Sequence, residues 1–108
     1  MLDISTGKVV RIIALHREYG PGNSRLRDYI AGLNEDEQIS LVACFWIGRD
    51  SFSADEVDEA LRTATEERSA PTEDYLSPDP DLAVYLESGM EALGLDVSDE
   101  EDRLRERP

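Results

Sequence analysis

Cys44 and His16, the one cysteine and the one histidine of the chain, are the residues whose types could build a nucleophile. In a thiolate–imidazole dyad the ring takes the thiol proton and keeps a charged sulfur available at neutral pH. Their settings argue against that use. His16 follows Val9, Ile12 and Ile13 at i, i+3, i+4, i+7, the apolar face of a 3.6-residue period. Cys44 sits in the most hydrophobic stretch of the chain, where burial raises a thiol's pKa and leaves it inert. Both are read as core or boundary residues.

Carboxylates are the other source of chemistry, with 25 Asp plus Glu against 11 Lys plus Arg and a net charge of −14. No Glu-x-x-His pair occurs, so the di-iron bundle pattern is absent. Residues 55–67 lack the sixth-position glycine and alternating aspartates of a calcium loop. Asp79-Pro80-Asp81 offers two carboxylates but is accounted for as a helix cap. There is no glycine-rich phosphate cradle and no Gly-x-Ser-x-Gly elbow. The expectation is a protein with no catalytic, cofactor-binding or metal-binding residues. A metal or hydrolytic site made of acids that meet in space is the enzymatic alternative.

Binding residues are easier to nominate. Trp46-Ile47-Gly48-Arg49-Asp50 puts the chain's one tryptophan next to an arginine at a predicted helix end, and Trp and Arg are favoured interface anchors. The competing reading packs Trp46 in the core, with Gly48 as the C-cap and Arg49 on the terminal carbonyls. Tyr75 and Tyr85 carry the same two readings, packing or a hydroxyl at a groove. Charge adds a second feature. Residues 1–54 hold 6 basic and 7 acidic side chains, whereas residues 55–108 hold 5 and 18. Many of these acids fall at predicted helix starts, where the dipole and unpaired amides favour them. An acidic face meeting a basic protein surface is the functional reading, represented by Asp55, Asp58, Glu59 and Glu66. A mimic of nucleic-acid phosphate, binding a basic DNA-binding protein, is its extreme form. Direct nucleic-acid binding is not expected, since it needs clustered Lys and Arg.

The elements that position these residues read as helices throughout. The first spans about residues 6 to 19 after Ser5 and stops at Gly20-Pro21; the second spans 25 to 31, with Gly32 as a left-handed stop. Asn34 and Glu37 form a capping box for a third, apolar over most of its circumference and ending at Gly48. Such a helix is central or part of a homodimer interface. Ser53 and Glu56 cap a fourth, with Phe52 placed to staple onto Val57. One turn over 72–76 precedes a fifth helix, with Pro80 at its first position and Gly94 at its end. No alternating strand or repeat interrupts this pattern. The fold class is all-α, a compact bundle of about five helices forming one domain over 1–95. A frayed acidic tail, partly disordered or a short helix, follows over 96–108. No apolar run approaches the roughly 20 residues of a membrane span, and no signal-peptide stretch opens the chain. With a single cysteine, a cytoplasmic location is expected, without membrane association.

Leu2-Asp3-Ile4-Ser5 with Lys8-Val9, Leu33-Asn34-Glu35-Asp36-Glu37-Gln38, Trp46-Ile47-Gly48-Arg49, Thr72-Glu73-Asp74-Tyr75-Leu76 and Tyr85-Leu86-Glu87-Ser88-Gly89 together resemble a family of small uncharacterised bacterial proteins, a domain of unknown function. The resemblance covers most of residues 2–94 and implies an all-α bacterial domain with no assigned activity. The expected role is a non-enzymatic protein–protein interaction or regulatory module.

Overall fold

Side chains that accept orphan amide protons start three of the helices in the computed structural model, which describes residues 2–95. Ser5 Oγ accepts the Lys8 N–H at 3.2 Å and opens α1 (Thr6–Tyr19). Asn23 Oδ1 accepts the Leu26 N–H at 2.8 Å and opens α2 (Ser24–Ala31). At α3 (Glu35–Gly48) the box closes both ways: Asn34 Oδ1 accepts from Glu37 N–H at 2.8 Å, and Glu37 Oε1 accepts from Asn34 N–H at 3.0 Å. A 3₁₀ turn over Ala54–Glu56, where Ser53 N–H donates to Glu56 Oε1 at 2.8 Å, leads into α4 (Val57–Glu66). The short α5 (Thr72–Leu76) and then α6 (Leu82–Ala92) complete six α-helices among the described residues, with no strand. None of them is long and apolar enough to cross a membrane. The acidic tail expected from residue 96 lies outside the described residues.

α3 is the central helix. α6, α4 and α5 pack against it, α1 packs on α6 and α2, and α2 packs on α5. The chain itself covers the apolar girth of α3, burying Leu41, Ala43, Cys44, Phe45 and Ile47. Val9, Ile12 and Ile13 of α1, Leu26 and Ile30 of α2, and Leu82, Leu86 and Met90 of α6 complete the same core.

Two glycines set how closely α3 and α6 approach. A Cβ on Gly48 would lie 1.7 Å from the Tyr85 carbonyl oxygen. One on Gly89 would lie 2.2 Å from the Cys44 carbonyl oxygen and 2.9 Å from its sulfur. Each backbone fills the space a side chain would occupy on the other helix. Gly48 is therefore not the C-cap read from the sequence. The helix runs through it, Arg49 caps it, and Asp50 takes the positive φ of 67°. Gly32 also differs from expectation, with a helical φ of −80°. Gly20 and Gly94 do adopt positive φ, 88° and 78°, where α1 and α6 end.

The segment before α6 differs as well. The expected single turn is the five-residue helix α5, and Pro80 is not the first residue of the next helix. Asp79 explains the shift. Its carboxylate accepts the Asp81 N–H at 2.7 Å, its carbonyl accepts the Leu82 N–H at 3.3 Å, and His16 Nε2 donates to that carbonyl at 2.9 Å. A turn held from the side chain and from α1 delays the helix to Leu82.

Ion pairs tie separate helices together: Lys8 with Glu37, Arg27 with Asp74, and Arg17 with Glu87 through two parallel hydrogen bonds. Lys8 and the Asn34 amide hold the Glu37 carboxyl below its ordinary value of 4.5, while Glu37 raises Lys8.

Gly48→Ala should cost about 3 kcal/mol in denaturant unfolding, since the alanine meets backbone that cannot rotate away. Gly32→Ala, where the added carbon would stand 3.4 Å from its nearest neighbour, should instead be neutral or gain about 0.5 kcal/mol. Because folding lowers the Glu37 pKa, the stability gained from its ionisation is present above the ordinary glutamate value and lost as pH falls through the folded one. Glu37→Gln keeps a cap acceptor and removes the charge. Between about pH 6 and about pH 3 its thermal midpoint should therefore fall less steeply than the wild type's.

Candidate functional site

Phe45 on α3 gathers most of the aromatic side chains that the sequence singles out. Tyr75 of α5 meets it edge-on with ring centroids 6.1 Å apart, and Tyr85 of α6 does the same at 5.5 Å. The Arg49 guanidinium lies 5.0 Å from the Phe45 ring centroid, in cation–π range. On the next residue, the Trp46 indole N–H donates to the Tyr75 hydroxyl at 2.9 Å. Phe52, placed by the sequence as a staple onto Val57, stacks on Trp46 with centroids 5.7 Å apart. Trp46, Arg49, Tyr75 and Tyr85 are thus brought together. Arg49 reaches the Phe45 ring and, through Nε, the Ser51 hydroxyl at 3.1 Å.

A groove of about 190 Å³ opens beside this cluster. Val42 and Trp46 form its α3 side, Thr72 and Tyr75 its α5 side, and residues 67–70 close it. Tyr75 is 45 % exposed at its edge, and Trp46 is half-buried. Arg68 pins the closing segment. One guanidinium nitrogen lies 3.3 Å from Glu35 and another donates to Oε1 of the buried Gln38 side chain. The Gln38 amide nitrogen in turn donates to the Ile30 and Leu33 carbonyls at 3.0 and 3.2 Å. The groove wall is thereby anchored to the turn between α2 and α3.

The acidic candidates occupy a different surface. Asp55 lies in the 3₁₀ turn, Asp58 and Glu59 in the first turn of α4 and Glu66 at its end; all four are exposed, and none lines the groove. The acidic residue that does line it is Glu67. Phe45, Gln38, Arg68 and Glu67 were not nominated from the sequence. Only Arg68 carried a signal, as one of two basic residues between positions 55 and 102.

A wider groove of about 630 Å³ between α1 and α2 involves Arg11, Tyr19, Arg25 and Tyr29. Two of its polar groups serve one another: Arg25 lies 4.4 Å from the Tyr19 ring centroid and donates to the Tyr19 hydroxyl at 2.6 Å.

His16 and Cys44 do not form a dyad. The histidine donates to Asp79, and the Cys44 thiol faces the Leu86 carbonyl at 3.6 Å. Burial pushes the Cys44 thiol up to about 12. Among the described residues, no three or more His, Cys, Asp or Glu side chains gather in a metal-binding group. In the native protein at neutral pH, Cys44 should leave a disulfide reagent such as Ellman's unreacted over hours. In denaturant it should react within minutes, and fast native-state reaction would contradict this burial.

Comparison with curated proteins and with solved structures finds no match. A family model does match, over residues 23–95, from the N-cap of α2 to just beyond α6. The opening Leu2-Asp3-Ile4-Ser5 segment and α1 lie outside that match, whereas the capping-box segment, Trp46-Ile47-Gly48-Arg49 and the Tyr75 and Tyr85 segments lie within it. The chain belongs to the family described as "Protein of unknown function (DUF3775)".

Proposed function

We propose that this chain is a non-enzymatic interaction module of the bacterial cytoplasm. It presents the Trp46–Tyr75 groove, with the acidic outer side of α4, to a protein of opposite charge. The observation that carries this reading is the groove itself. Two aromatic side chains joined by a hydrogen bond stay partly exposed at its wall while the core around them is closed. Tyr and Trp at such positions supply contact area with few rotatable bonds, as interface anchors do. The acids of α4 add long-range attraction and orientation, which act on association rate and salt sensitivity more than on tightness.

Capture from the source lysate on the immobilised full chain tests the proposal, with a Trp46→Ala/Tyr75→Ala variant and a Glu59→Gln/Glu66→Gln variant in parallel. Far-UV circular dichroism establishes that each variant is folded. A partner retained by the wild type should bind the aromatic variant at least about 10-fold more weakly. It should also elute from the charge variant at lower salt. Retention that is the same on all three proteins, or no retained protein, would contradict the proposal.

A further inference from the structure

We infer that the groove beside Trp46 is a receptor for one arginine side chain of the partner, the guanidinium stacking on the aromatic wall and pairing with Glu67. This rests on the reading that the face binds a protein and adds what it recognises there.

Size comes first. At about 190 Å³ the groove is smaller than the roughly 300 Å³ at which small-molecule clefts begin, and suits a single long side chain. Charge comes second. Of the carboxylates in the run from Asp55 to Glu67, Glu67 is the one that lines the groove. Arg68 lines the groove, but its guanidinium is already engaged by Glu35 and Gln38, so it is not a free anion receptor. With Arg68 engaged, Glu67 is the charged lining group left to meet a ligand, and it favours a cation.

The end of α4 points the same way. Glu66 closes that helix and Glu67 caps it, with no basic residue in the last turn. The helix dipole disfavours carboxylates at a C-terminus, so this end is electrostatically uncompensated within the helix. A guanidinium placed beside Glu67 supplies the missing positive charge.

The wall is suited to arginine. Phe52, which is not a lining residue, stacks on the indole, so the groove uses a part of Trp46 that Phe52 leaves open. Tyr75 accepts the Trp46 N–H, which fixes the two rings relative to each other before any ligand arrives. A planar guanidinium stacks on such rings and offers paired donors to a carboxylate, which a lysine ammonium does not. The protein already uses this chemistry internally, with Arg49 on Phe45 and Arg25 on Tyr19.

Trp46, the one tryptophan, reports occupancy directly. The full chain is titrated with N-acetyl-arginine amide or N-acetyl-leucine amide, following tryptophan fluorescence and the indole N–H resonance. The arginine compound should saturate both signals and bind at least about 5-fold more tightly than the leucine compound. Glu67→Gln, an exposed change that leaves the circular dichroism spectrum unaltered, should weaken it by about 3- to 10-fold. No saturation, equal binding of the leucine compound, or an unchanged affinity in Glu67→Gln would overturn the inference. If the arginine compound fails while a captured partner still depends on Trp46 and Tyr75, the arginine receptor falls and the interaction module stands. If both fail, the broader reading falls as well.

Discussion

The closeness of α3 to α6 is the constraint on which the rest of the structure depends. Gly48 admits the Tyr85 carbonyl and Gly89 admits that of Cys44, so the two backbones touch where most helix pairs are held apart by side chains. The contact gains dispersion over a long stretch and brings Phe45 within 5.5 Å of the Tyr85 ring. Trp46, one residue further along α3, is turned toward α5 and Phe52. The aromatic cluster, and with it the groove wall, follows from the register of that crossing. A side chain at either glycine would force the helices apart and displace the cluster along with the core.

Electrostatics divides the surface by use. In α1 and α2, Lys8, Arg17 and Arg27 pair with Glu37, Glu87 and Asp74 and fasten those helices to α3, α6 and α5. Exposed pairs of this kind contribute little individually, but each fixes a relative position of two elements. The end of α4 carries Glu66 and Glu67 where a helix would be better served by Lys or Arg. Local rules broken without an internal compensation are characteristic of binding surfaces.

The helices were legible because their signals are local. Ser5 and Asn34 cap the helices they precede, and the 3.6-residue period of Val9, Ile12, Ile13 and His16 names a face that is buried. The role of Gly48 was not legible, since a glycine near a helix end reads the same whether it turns the chain or admits a neighbour. Pro80 misled for a related reason: its preference for a first helical turn was overridden by the Asp79 turn, which depends on His16 from 63 residues away. In the site, Trp46, Arg49, Tyr75 and Tyr85 could be nominated by type. Phe45 as their hub and the Gln38–Arg68 anchor depend on α3, α5 and the segment after α4 meeting in space, which no local pattern encodes.

Amide hydrogen exchange in the native protein tests the central claim, that the α3–α6 crossing organises the fold. The slowest amides should fall in residues 41–48 and 85–90, exchanging only with global unfolding, while α4 and α5 exchange sooner through local opening. Slowest exchange in α1 and α2, with the α3–α6 amides released by local opening, would contradict it and place the organising contact elsewhere.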